Sequence, residues 1–174
     1  MSKRVVSVIM LSLLLVSLAL VANVPIGKQS ETDGENDPVD WWPMFRHDLN
    51  HTGCSTSKAP NANTTIWNYT TDGSVFSSPA VADGKVYIGS LDNKTYCLNA
   101  STGEHIWNYT TDGSVFSSPA VADNKVYIGS YDDKVYCLNA STGEHIWNYT
   151  TDGSVFSSPA VADNKVYIGS YDDK

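Results

Sequence analysis

Three groupings in this 174-residue chain have the residue types that catalysis or metal binding uses. Arg46, His47 and Asp48 stand together, and His51 follows His47 by four positions, a spacing that puts two imidazoles on one face of a helix. Asp132 and Asp133 make a carboxylate pair, and carboxylates at close spacing bind hard cations. Cys54, Cys97 and Cys137 supply thiols. Each grouping has a plainer explanation. Pro43, Asn50 and Gly53 interrupt the histidine segment, so it reads as an irregular lead-in that seats Trp41, Trp42 and Phe45 on the folded part. Aspartates at turns bond nearby backbone N–H groups, which accounts for Asp132 and Asp133. The cysteine count does not describe a disulfide framework.

Repetition weighs more heavily against catalysis than any of these. "NYTTDGSVFSSPAVAD" occurs without change at Asn68–Asp83, Asn108–Asp123 and Asn148–Asp163. The unit containing it has a 40-residue period: Trp67, Trp107 and Trp147 keep that spacing, as do Gly73, Gly113 and Gly153. Ile66–His105 and Ile106–His145 differ only at Gly84/Asn124, Leu91/Tyr131, Asn93/Asp133 and Thr95/Val135, and Ile146–Lys174 repeats the second copy. A catalytic site needs unlike groups in unlike roles. Identical units place identical groups side by side, and even Asp133 recurs, as Asp173. His105 and His145 recur with the unit and read as exposed strand residues.

The elements that must position these groups are strands. Ser77–Ala82 reads as a short strand with Pro79 near its start, where a missing N–H is tolerated. Asp83-Gly84, or Asp123-Asn124, provides a tight turn, followed by the strand Lys85–Ser90. Asp92-Asn93 turns into Thr95–Asn99, and Ser101-Thr102-Gly103 turns into His105–Thr110. No stretch has a helical apolar period. In "KVYIGS" Val86 and Ile88 point to one face and Tyr87 to the other, so both faces are apolar. A strand with one wet face alternates more cleanly. Four short strands in about 40 residues, packed on both sides, is the content of one propeller blade.

Composition sets the outer limits. The net charge of −8 and pI near 4.7 exclude a nucleic-acid partner, which requires basic patches. Lys3-Arg4 precedes an uncharged, mostly apolar run from Val5 to Ala22, and residues 1–22 read as a cleaved signal peptide or a retained membrane anchor. Ser17-Leu18-Ala19 offers a small-x-small cleavage site. Either alternative places the remainder outside the cytoplasm. Residues 23–40 read as a flexible acidic linker, because they have little apolar surface to bury. Residues 41–65 lead into the first blade, and residues 66–174 hold the repeats. Asn-x-Ser/Thr triplets occur at Asn50, Asn63, Asn68, Asn93, Asn99, Asn108, Asn139 and Asn148, most of them read as incidental to a Thr- and Asn-rich repeat.

Cys97-Leu98-Asn99-Ala100-Ser101-Thr102-Gly103-Glu104-His105-Ile106-Trp107 resembles the tryptophan-docking motif A-x-D-x-x-T-G-K-x-x-W of the pyrroloquinoline-quinone-like (PQQ-like) propeller repeats. Thr102, Gly103 and Trp107 match; Cys97 and Asn99 depart mildly, and Glu104 reverses the usual lysine charge. The second copy gives Thr142, Gly143 and Trp147. "SSPAVADGKVYIGS" resembles the inner-strand text of the family and "WWPMFRHDLNHTG" its opening segment. The resemblance implies that Trp67, Trp107 and Trp147 pack across blade interfaces onto the motif of a neighbour. It also makes Cys97 and Cys137 small buried fillers where the family places alanine. It implies no cofactor here: the adjacent cysteine pair of the PQQ dehydrogenases is missing, and their calcium-ligand and aspartate context is not recognisable.

The expected fold is all-β, made of four-stranded antiparallel propeller blades. Closure in the family takes seven or eight blades, or roughly 280–320 residues at such a period. The repeats are therefore expected to be a fragment of such a ring, and a chain ending at Lys174 is expected to self-associate. The expected function is a non-catalytic scaffold for a protein or glycan partner outside the cytoplasm, with possible tethering through residues 5–22. The alternatives are a piece of a PQQ-dependent quinoprotein dehydrogenase and a repetitive cell-surface or adhesive array.

Overall fold

The computed structural model describes residues 42–47, 57 and 60–172. The leader, the acidic linker, Trp41, Asp48, His51, Cys54 and Asp173 lie outside the described residues. Among the described residues no helix is long and apolar enough to cross a membrane.

The first unit folds as β1 (Ala80–Ala82), β2 (Lys85–Gly89), β3 (Lys94–Asn99) and β4 (His105–Thr110), paired antiparallel in that order. The second repeats it as β5 (Ala120–Ala122), β6 (Lys125–Gly129), β7 (Lys134–Asn139) and β8 (His145–Thr150). A third sheet contains β9 (Ala160–Ala162) and β10 (Lys165–Tyr167). Registers match between copies: Tyr87 lies opposite Cys97 and Cys97 opposite Trp107, while Tyr127, Cys137 and Trp147 repeat the row. The β1–β2 turn has two successive positive φ angles, 50° at Asp83 and 69° at Gly84, and Asp123-Asn124 takes the same shape at 48° and 55°. Asn tolerates this left-handed region, which is why Gly84 and Asn124 exchange freely.

The innermost strands are shorter than the sequence suggests. The Ser77–Ala82 segment forms a ladder only from Ala80, because Pro79 has no N–H and the serines bond elsewhere. Ser77 Oγ accepts from Gly89 N at 3.1 Å, and Ser118 Oγ accepts from Ser78 N at 2.9 Å. Ser158 Oγ accepts from Ser118 N at 3.1 Å, so a chain of serines ties each inner strand to the next. Alanines flank these bonds; Ala80 and Ala120 are fully buried, and their small side chains let β1, β5 and β9 approach.

The core lies between the first two sheets. Tyr87, Cys97 and Trp107 of the first pack with Val126, Ile128, Tyr136 and Leu138 of the second. β6 is buried on both faces, whereas Val86 and Ile88 of β2 are only half-buried.

The lead-in does not seat as expected. Phe45 is exposed and Met44 is buried instead. Trp42 exchanges two 2.7 Å backbone hydrogen bonds with Val81, and Pro43 O accepts from Val121 N at 2.6 Å. Backbone pairing to the inner strands, rather than aromatic packing, holds this segment.

Candidate functional site

Trp107 leaves β4 and enters the second sheet. Its Nε1 donates to Ala140 O at 3.1 Å, and its ring tilts on Tyr87 at 5.9 Å. Gly143, at φ 75°, supplies both the left-handed turn and the space: a Cβ there would stand 2.7 Å from Trp107 Cδ2. Trp67 repeats the geometry one unit earlier, donating to Ala100 O at 2.9 Å and covering Gly103. Thr102 and Thr142 are exposed; each Oγ1 accepts from the backbone N–H of Glu104 or Glu144 at 3.3 Å, holding the same turn. Trp147 tilts on Tyr127 at 5.9 Å but is 38% exposed, against 6% for Trp107. It borders a cleft of about 690 Å³ with Tyr127, Val161 and Val166.

The other chemistry-bearing residues have structural work. Asp132 accepts from Tyr136 Oη at 2.6 Å and from Asp112 N at 2.9 Å, and Asp92 makes the same pair of bonds with Tyr96 and Asp72. Burial and then the neighbouring carboxylate push both phenols above the usual tyrosine range. Asp133 accepts from Ser154 Oγ at 3.0 Å. Lys94 and Lys134 pair with Asp72 at 3.3 Å and Asp112 at 3.1 Å. His105 and His145 are exposed, stacked at 6.1 Å on Tyr69 and Tyr109. Cys97 and Cys137 are buried free thiols, and burial pushes the Cys97 thiol up to about 12. His47 rests against Trp42, with ring centroids 4.8 Å apart. Among the described residues no three His, Cys, Asp or Glu side chains gather where a metal could be held.

One feature was missed by reading residue types alone. Phe76, Phe116 and Phe156 form a row with ring centroids 5.9 and 5.6 Å apart. Tyr131 joins it 5.2 Å from Phe156, and Tyr171 extends it at 6.4 Å. Phe76, Phe156, Tyr131 and Tyr171 are exposed. They stand at one end of the sheets, with Tyr131 in the β6–β7 turn and each phenylalanine in the loop that precedes β1, β5 or β9, and Tyr131 N donates to Ser114 O. The available signal was a phenylalanine in the same loop of every copy, outside any strand pattern.

Four-stranded antiparallel sheets in series, with a tryptophan of one fitted to a turn glycine of the next, define a propeller-blade repeat. The chain belongs to the PQQ-like repeat family: the model described as outer membrane protein assembly factor BamB matches residues 56–133 and 116–174. Among solved structures, BamB from Moraxella catarrhalis is 24% identical at a TM-score of 0.53, covering 61% of this chain and 34% of that one. The quinohemoprotein alcohol dehydrogenase from Comamonas testosteroni is 26% identical at 0.63, covering 75% and 23%. A europium-containing methanol dehydrogenase is 20% identical at 0.64, covering 76% and 28%. The chain thus spans between about a quarter and a third of these proteins. No curated protein matches the sequence.

Proposed function

We propose that this chain is a non-catalytic propeller module of the cell envelope that docks a protein partner on its aromatic row. The observation that carries the reading is the contrast between the two kinds of side chain. Asp92 and Asp132 accept from Tyr96 and Tyr136 in the same role in each copy, and the Cys97 and Cys137 thiols are buried. The large apolar groups of Phe76, Phe156 and Tyr131 are left in solvent at one end of the sheets. Adjoining exposed aromatics mark interaction surfaces, since tyrosine and phenylalanine are enriched in interface cores. The family description, an outer membrane protein assembly factor, supports an envelope location and protein partners. The leader and the acidic linker support export with the blades held off the membrane.

A photo-crosslinking residue at Tyr131 should give one discrete protein adduct in intact cells. The same residue at Lys125, which begins β6 at the opposite end, should give none. Adducts from Lys125 and none from Tyr131 would move the partner to the other end and overturn the assignment of this surface.

The rival dehydrogenase reading draws on the likeness to the Comamonas testosteroni enzyme. It predicts alcohol-dependent dye reduction after addition of the quinone and calcium; the non-catalytic reading predicts none.

A further inference from the structure

We propose that Asn68, Asn108 and Asn148 are N-glycosylated, and that the saccharides guard the outer edges of the blades. Each begins an identical Asn-Tyr-Thr triplet. The asparagine and the threonine two residues on are exposed at all three positions. Asn108 and Asn148 lie within β4 and β8, and Asn108 Nδ2 meets only an exposed ring nitrogen, His105 Nε2 at 3.0 Å. The Asn99 and Asn139 triplets differ. Both asparagines are half-buried, and their Oδ1 atoms each accept two backbone N–H bonds, from Ser101 and Thr102 or Ser141 and Thr142, in the turn that receives a tryptophan. Asn93 is half-buried, and its Oδ1 accepts from Ser114 Oγ at 3.3 Å.

The second observation is the edge itself. β4 and β8 end their sheets, paired on one side only. Sheet edges are ordinarily protected by lysine, proline or a charge. "HIWNYT" contains no lysine, arginine, carboxylate or proline, and it combines β-branched with aromatic residues. Short, uncharged, proline-free segments of that composition pair with other chains. A hydrated saccharide at the fourth of the six residues would block an approaching strand sterically.

In the modification, Asn Nδ2 bonds to the anomeric carbon of a lipid-pyrophosphate-linked saccharide. The anomeric C–O bond breaks, the lipid pyrophosphate leaves with the electron pair, and the amide proton passes to a base of the transferase. The proposal rests on export, because such donors act outside the cytoplasm.

The test is site-resolved mass spectrometry of the protein from the cells that make it, with its location measured by fractionation. Cleavage after lysine gives Thr95–Lys125 and Val135–Lys165, distinguished by their first residue, and fragmentation of each intact peptide in the spectrometer separates Asn99 from Asn108 and Asn139 from Asn148. Saccharide mass on the Asn108 and Asn148 fragments is expected. Thr110→Val with Thr150→Val, which removes both triplets but keeps strand-forming residues, should raise the associated fraction in sedimentation several-fold. An envelope protein bare at Asn108 and Asn148, or modified only at Asn99 and Asn139, overturns the proposal with export intact. A cytoplasmic, unmodified protein overturns export and this inference together. Modification with unchanged association of the double variant overturns the edge-guarding role.

Discussion

Trp107 and Trp147 have identical neighbours in sequence, within "HIWNYT", yet different surroundings in space. Replacing each by alanine separates the contribution of the inter-blade contact from that of the strand. A buried indole removes about 200 Å² from water, about 5 kcal/mol at ~25 cal/mol/Å². Partial relaxation brings the expected cost of Trp107→Ala to about 3–5 kcal/mol. The lost hydrogen bond adds little, because Ala140 O also accepts from Tyr87 Oη at 3.1 Å and stays satisfied. Trp147 retains its contact with Tyr127 but is 38% exposed, and its removal should cost about 1–2 kcal/mol. Urea unfolding of the two variants, followed by far-ultraviolet circular dichroism, measures the difference directly. Losses equal to within about 0.5 kcal/mol, the spread of ordinary surface substitutions, would show that fitting against Gly143 is not what holds Trp107.

Gly143→Ala should cost about 2 kcal/mol or more, from the positive φ and the approach of the indole, read as a fall in urea midpoint; an unchanged midpoint would contradict the contact. Tyr136→Phe removes the donor to Asp132 and should cost about 1.5–3 kcal/mol by the same assay, the usual range for a bond to a charged group. Because the folded Tyr136 phenol titrates above its ordinary range, folding retains a proton that the unfolded chain releases above about pH 10. Stability should therefore be constant below that pH and fall above it, and Tyr136→Phe should fall less steeply in alkaline melts. The Cys97 thiol should resist alkylation at pH 8 until the protein unfolds, by mass spectrometry; labelling of the native protein at the rate of a small thiol would refute its burial.

The fold was legible because each unit states its strands and turns locally. Asp83-Gly84 can only turn, and "KVYIG" reads as a strand apolar on both faces. His105–Thr110 appeared with the bounds β4 has. The first strand was misjudged in length because Ser77 and Ser78 use side-chain hydroxyls and backbone N–H groups across units, a pairing with no local sequence mark. Phe45 was misjudged because a hydrophobic residue in an irregular segment says nothing about which neighbour takes the buried place; Met44 does. The aromatic row was missed for a related reason. Phe76 and Phe116 are forty positions apart, and only the stacking of one sheet on the next brings their rings together.

The serine chain along the inner strands makes the repeat length itself a structural quantity. Ser78 to Ser118 and Ser118 to Ser158 both span 40 residues, and each tryptophan bond, Trp67 to Ala100 and Trp107 to Ala140, spans 33. Excising any forty consecutive residues from within the repeats, wherever the cut begins, joins like to like and leaves every surviving donor facing the same acceptor type. Excising thirty-nine would leave one extra residue at the junction, and where that residue falls within a strand the side chains beyond it in that strand change face, because successive side chains point to opposite faces. Replication slippage by whole units is therefore conformationally silent for the remaining interfaces, whereas slippage by any other length is not. A gene for such a chain is free to vary in the number of blades it encodes while the interface between blades stays the same.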